Sequence, residues 1–311
     1  MTDDERMKIL ERLARGEINA ARADELLEQL EGAGAPPEGE AGGKAAAFTH
    51  ATQWSPAAPI RELRIENVSG DVTARAGSET VVVATLRADA GADADARKLF
   101  EKINLTFDER DGVAVAKAGF ARRVRDLFRG VRVGVDFDVT MPAAATLAVS
   151  CGTGAVTSQG VAGLRVHAGN GRVETDAANV DVDLGNGRVA SRAPAELAVN
   201  GGNVAVDIRA AEGLRKFRFN AGNGRVKLAA RRLAADADYA VNVASGKLEL
   251  ELGRRPTDCV MEIESLAGTL DTDVPFNREG RRMTYAAGEP KARLSVHAAN
   301  SKVIVRVKEE G

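Results

Sequence analysis

Gly169-Asn170-Gly171-Arg172-Val173, Gly185-Asn186-Gly187-Arg188-Val189 and Gly222-Asn223-Gly224-Arg225-Val226 are three copies of one five-residue phrase. Looser copies are Gly201-Gly202-Asn203-Val204, Ser245-Gly246-Lys247-Leu248, Ala267-Gly268-Thr269-Leu270 and Asn300-Ser301-Lys302-Val303, and earlier forms are Ser69-Gly70-Asp71-Val72 and Thr153-Gly154-Ala155-Val156. Between them the chain alternates apolar and polar residues, as in Leu248-Glu249-Leu250-Glu251-Leu252, which is the pattern of β-strands. A turn phrase recurring between strands predicts a mostly-β fold, a β-solenoid or β-helix-like stack of short strands.

The spacing supports this reading. Gly154 to Gly171 is 17 residues, Gly171 to Gly187 is 16 and Gly187 to Gly202 is 15. Three steps of 22 lead through Gly224 and Gly246 to Gly268, and a last step of 33 reaches Ser301, so a loop or an extra unit is expected there. Each step suits one solenoid turn, with coils about 4.8 Å apart. The glycine supplies a crowded or left-handed corner. Asn170, Asn186, Asn223 and Asn300 share the place before it, and stacked coils would align their amides into a ladder. The Val or Leu two places after the glycine should face the core.

Upstream, residues 3–31 read as two short helices. Met7, Leu10 and Ala14 line one, and Ala23, Leu26, Leu27 and Leu30 the other. Gly16 breaks the first and Asn19 caps the second. This hairpin, residues 1–31, is too small to fold alone and must self-associate, dock or bind a protein partner. It carries nine acids against five bases. Residues 32–57 are rich in Ala, Gly and Pro and read as a flexible linker, with Trp54 as a lid on the first coil of the β-domain at 58–311. One helix is expected near Asp93 to Lys102.

Composition narrows the function. The net charge of −2 announces no nucleic-acid partner. Aromatics are 4% of residues, which weighs against base-stacking platforms and carbohydrate grooves. Cys151 and Cys259 stand apart from any Cys/His cluster, so no metal site is expected. The acidic N-terminus lacks a secretory signal, and no stretch is apolar enough to span a bilayer, so a cytoplasmic protein is expected. The glycine phrase is neither a dinucleotide fingerprint nor a P-loop, because it lacks a third glycine, a trailing Gly-Lys-Ser/Thr and a following helix. No nucleotide, other cofactor or small-molecule substrate is implied. His50, His167, His297 and Ser150-Cys151-Gly152 form no catalytic motif, so no catalytic residue is assigned and no enzyme is expected.

Two features are candidates for interaction. Arg172, Arg188 and Arg225, with Lys247 and Lys302, would stack into a basic strip. It reads as a solvated corner neutralised by Glu174, Glu249 and Asp271, or as a docking strip for an acidic partner. Residues 120–132 hold Arg122, Arg123, Arg125, Phe128 and Arg129 in a basic amphipathic pattern. Such a segment caps an open end of the stack, or lies peripherally on an anionic membrane.

Glu5-Arg6-Met7-Lys8-Ile9-Leu10, Gly16-Glu17-Ile18 and Ala23-Asp24-Glu25-Leu26-Leu27 resemble the SHOCT-type helical hairpin of YvlB-like and LiaX-like bacterial proteins. The Ser/Asn-Gly-x-Val turns resemble the "putative adhesin" β-strand-repeat domain that follows it there. Asn19-Ala20-Ala21-Arg22 departs from the usual Thr/Ser-x-x-Glu capping box, since Arg22 cannot return the second bond. The resemblance implies a non-enzymatic interaction or regulatory protein of the cell-envelope stress type, with the hairpin as partner module and the solenoid as rigid scaffold. A solenoid assembling head to tail, and a polysaccharide-binding or -cleaving protein, are the alternatives.

Overall fold

Leu164, Val166 and Ala168 point inward from the strand Gly163–Thr175, and so do Val173 and Thr175. The inward positions therefore change from even to odd within Gly169-Asn170-Gly171-Arg172. Strand residues alternate faces, so this change marks a bend that turns the second half of the strand onto another side of a common core. The repeated phrase is that bend. It recurs in β8 (Thr146–Gln159), β9 (Gly163–Thr175), β10 (Asn179–Arg192), β11 (Glu196–Arg209), β12 (Lys216–Ala230) and β13 (Asp238–Leu252).

These six strands stack in parallel, each pairing with the next along both halves. The computed structural model describes residues 46–90, 93–120 and 133–308. The expected hairpin at 1–31, with Leu26, Leu27 and Leu30, lies outside the described residues. So do Arg122, Arg123, Arg125, Phe128 and Arg129.

Core side chains stack in columns. Val156, Val173, Val189, Val206, Val226, Leu248 and Val303 form one of them, all buried. Leu147, Leu164, Val180, Leu197, Phe217, Tyr239 and Leu294 form another. Where this column turns aromatic, the Tyr239 hydroxyl donates to the Leu214 carbonyl at 2.7 Å, which satisfies the one polar atom of a fully buried ring.

The register corrects the expected spacing. Gly187 pairs with Val204, not Gly202, and Asn186 pairs with Asn203. Successive ladder asparagines are thus 16, 17 and 20 residues apart from Asn170 to Asn223. The core pair Val189–Val206 and the asparagine pair fix the alignment, and the loop between coils absorbs the length difference.

The C-terminal end differs more. The strand β18 (Ala292–Val307) pairs with β13 on one side, and on the other with β14 (Cys259–Ser265) and β15 (Thr269–Thr272). The last strand in sequence therefore lies inside the stack, and Gly246 neighbours Ser301 rather than Gly268. The residues behind the long last step form β16 (Asn277–Glu279) and β17 (Arg282–Ala287), and β17 folds back antiparallel on β14.

At the other end, β2 (Glu62–Ser69) and β3 (Val72–Gly77) are the two halves of the first coil and pair with β8. They are covered by β6 (Val113–Phe120) and β7 (Val133–Pro142). Antiparallel partners continue outward as β5 (Ile103–Arg110) on β6, and as β4 (Val81–Ala90) on β7. The expected helix is α1, Asp93–Phe100, with Ala96 and Leu99 buried.

Residues 46–54, which composition places in the linker, form β1 (Ala46–Trp54), antiparallel to β4. Phe48, Thr52 and Trp54 are half-buried while Thr49, Ala51 and Gln53 are exposed, a period of two that the exposed His50 interrupts and the nearby Ala/Gly/Pro run obscures. Trp54 stacks on Phe107 of β5 at 5.2 Å between ring centroids, a contact with an outer covering strand rather than with the first coil on which a lid was expected.

Candidate functional site: a polar-walled trough

The bend leaves small residues between two polar columns. The paired ladder is interrupted at one place in each coil, and the pairs on either side line up Val68, Gly152, Gly169, Gly185, Gly202, Gly222, Ala244, Ala299 and Leu266 there in one column. Gly152, Gly169, Gly185 and Gly202 leave no room for a Cβ between stacked coils. A Cβ on Gly185 would lie 2.4 Å from the Gly169 carbonyl oxygen, and one on Gly202 would lie 2.7 Å from that of Gly185. The result is a trough floored by backbone and methyl groups.

One wall is the expected asparagine ladder, completed by a residue the glycine phrase alone did not align. The Nδ2 of Asn186 donates to Oδ1 of Asn170 at 2.9 Å, Asn203 to Asn186 at 2.6 Å and Asn223 to Asn203 at 2.8 Å. Asn300 joins the column beyond Ser245.

The other wall is a second ladder that sequence reading missed. Asn200 donates to Asp183 at 2.9 Å, Asn220 to Asn200 at 2.9 Å and Asn242 to Asn220 at 2.7 Å. In register, His167 precedes Asp183 and His297 follows Asn242. His297 then meets Glu264, with Nδ1 to Oε2 at 3.2 Å. The signal was a polar residue three places before each ladder asparagine, but the second strand half dominates the repeat and hid it. Beside this wall, from Asn200 to Glu264, the trough opens into a shallow groove of about 780 Å³.

Ser295, His297 and Glu264 form a relay, with Ser295 Oγ 3.2 Å from His297 Nε2. The histidine and glutamate side chains are 59% and 58% exposed. β18 has ladder partners on both sides, so nearby backbone N–H groups are engaged rather than aimed at a developing oxyanion. Burial, then the Asp71 carboxylate, raises the Cys151 thiol above its usual range, which disfavours the nucleophilic thiolate. Cys151 and Cys259 are both buried as free thiols.

The basic strip lies beyond the bend. Arg172 and Arg188 are register neighbours, but Ala205 stands between Arg188 and Arg225, and Lys247 and Lys302 continue the column. Arg172 pairs with Glu174, Arg188 with Asp207 at 3.4 Å and Lys247 with Glu249 at 3.0 Å. Among the described residues, Arg225 and Lys302 have no ion pair. Asp271 makes its close ion pair with Arg306 at 2.6 Å, and the charge of Lys302 also acts on it from farther away. A hydrogen bond from Arg306 holds the Asp271 carboxyl below its usual range, and Arg282 does the same for Glu262. This side is a mosaic of exposed ion pairs, each of small energetic weight. The trough walls are mainly neutral amides.

No group of three metal-ligating side chains occurs among the described residues. Among them, no helix is long and apolar enough to cross a membrane.

No protein-family model matches the chain, and no curated protein matches it. Solved structures align with it at low identity. A "putative lipid binding protein" from Parabacteroides distasonis is 12% identical, covering 84% of this chain and 97% of its own, with a TM-score of 0.45. A "putative adhesin" from Parabacteroides merdae is 12% identical over 83% and 96%, with a TM-score of 0.41. A "putative cell adhesion protein" from Clostridium sporogenes is 11% identical over 85% and 100%, with a TM-score of 0.31.

Proposed function

We propose that this is a non-enzymatic binding protein, with the solenoid as rigid scaffold and the trough as its ligand surface. One observation carries the reading. Two parallel polar ladders flank an unobstructed floor of glycine and alanine across successive coils. A filled core with stacked columns holds those groups at fixed spacing, so a ligand meets a preorganised surface. The exposed relay at Ser295 and the buried thiols give no competing catalytic site. Covering strands at both ends of the described stack weigh against head-to-tail assembly.

The test is a binding screen of glycan, peptide and lipid classes on the full chain, run with Ala244→Trp and Arg225→Ser. A ligand lost with Ala244→Trp and kept with Arg225→Ser supports the reading. Ligands kept with Ala244→Trp, or lost only with Arg225→Ser, overturn it.

The finer proposal adds the N-terminal hairpin as a self-association or protein-partner module, acting as in envelope-stress components. The support is its apolar stripe, Leu26, Leu27 and Leu30. Changing these three to Ser should lower the mass seen by light scattering, or release a partner. Peripheral contact with an anionic membrane through Arg122, Arg123, Arg125 and Arg129 is tested by liposome flotation. Flotation with anionic vesicles alone, lost when all four become Ser, supports it, and no flotation of the intact chain removes it.

A further inference from the structure

We infer that the trough binds a linear, neutral, β-linked polysaccharide laid along the solenoid axis, which deepens the reading of the trough as ligand surface. The walls supply the first reason. Each interior ladder asparagine (Asn186, Asn200, Asn203 and Asn220) uses one N–H and one oxygen lone pair within its column, so a second N–H and a second lone pair remain, and Asn242 uses only an N–H. Asn200, Asn220 and Asn242 therefore present donor–acceptor pairs at every coil. Vicinal sugar hydroxyls are themselves donors and acceptors, and they match such pairs without carrying charge. An anionic polymer would find no run of cations here, because the basic column lies beyond the bend.

Spacing is the second reason. Coils repeat about every 4.8 Å, whereas an extended polypeptide advances about 3.3 Å per residue and falls out of step within two coils. A β-1,4-linked pyranose chain advances by roughly one coil spacing per ring and turns over at each ring, so a given hydroxyl edge returns to the same wall at every second coil. A peptide has a further handicap. The strand halves on either side of the floor pair between coils, so the strands beside the trough from β11 to β18 offer no free edge for strand addition. A lipid chain needs an enclosed apolar cavity, and this trough is open with polar walls.

The floor is the third reason. Glycine and alanine leave it flat enough for a ring to approach closely, and Ala244, Ala299 and the exposed Leu266 offer aliphatic surface to the C–H face of a sugar. The scarcity of aromatics that counted against a carbohydrate groove at the sequence level is met by this aliphatic floor. It also sets the expectation of weak binding per ring that grows with chain length.

The experiment is isothermal titration of the full-length protein with soluble cello- and chito-oligosaccharides of two and six rings. The same titration is run on Asn220→Leu, Ala244→Trp and Arg225→Ser, with circular dichroism confirming that each variant folds. The expected result is saturable binding of a hexamer at least about tenfold tighter than the dimer, weakened about tenfold or more by the first two variants and unchanged by the third. Equal affinity for dimer and hexamer, or no hexamer binding, overturns the polysaccharide. In that case extended peptides and neutral and anionic vesicles are tried. If one binds and Ala244→Trp abolishes it, the trough stands as ligand surface and only the ligand class is wrong. If Ala244→Trp changes nothing, both fall.

Discussion

Val68 and Leu266 stand at opposite ends of one register column, and they are the large hydrophobic side chains left exposed, at 47% and 58%, among the described residues. Glycine and alanine fill every place between them. On the proposed function, exposed apolar groups bracketing the trough should matter to ligand more than to fold. Val68→Ser and Leu266→Ser should each change stability by no more than about 0.5 kcal/mol in urea denaturation. Leu266→Ser should still weaken binding of any ligand that the trough takes, read by titration, and Val68→Ser should do so for the longer ones.

The strand glycines should divide sharply by what surrounds them. Gly246 has φ +157, and a Cβ there would lie 1.8 Å from the Gly224 carbonyl oxygen. Gly119, also in a strand, has nothing within 4 Å of that position. Gly246→Ala should cost about 2 kcal/mol or more, by strain and displaced ladder bonds. Gly119→Ala should be neutral or slightly stabilising. Paired denaturation midpoints check this, and equal losses would contradict the stacking geometry.

Asn220 sits mid-ladder, donating to Asn200 and accepting from Asn242. Its removal breaks two hydrogen bonds, but both neighbours can turn to water. Asn220→Ala should therefore cost about 1 kcal/mol rather than the sum expected for buried bonds. A loss above about 3 kcal/mol would mean that the ladder is a structural element of the core.

Alkaline pH should loosen the fold. Burial, with a smaller push from Asp258, raises the Cys259 thiol from 9.0 to about 11. Burial also raises the Tyr239 phenol above its usual 10.0. The unfolded chain releases these protons first, so above pH 9 the folded state binds more protons. Stability is then full below about pH 9 and declines as pH rises toward about 11. Urea midpoints between these values should fall in the intact protein and fall less in Cys259→Ala. Tyr239→Phe should flatten the remaining decline above about pH 10 while lowering stability by about 1–2 kcal/mol at neutral pH, because the Leu214 carbonyl loses its donor.

Removal of residues 291–311 should be more harmful than its terminal position implies, because it extracts β18 from between β13 and β14. Limited proteolysis should cut that truncated chain throughout 253–290. A chain ended after Gly253 should keep β8–β13 protected, since it loses whole layers from one end.

Local chemistry explains what the sequence by itself determined. The Gly-Asn-Gly phrase needs a crowded bend, and alternation of Val and Leu needs a half-buried strand. Both are short-range demands, so the β-solenoid, its bends, the first amide ladder and α1 were legible from residue order. The strand at 46–54 was not, because its period of two is short and its composition matches the adjacent tether.

Only the tertiary structure decided what lies beside what. Register depends on pairing energies summed over whole coils, which is why Val204 takes the glycine place and the loops absorb the difference. The antiparallel return of β17 places β18 inside the stack, a choice set by packing of long-range partners and invisible to any repeat period. The second ladder and the trough exist for the same reason. His167, Asp183, Asn200, Asn220, Asn242, His297 and Glu264 are ordinary polar residues in sequence, and become one surface when stacking brings their coils within a strand spacing of each other.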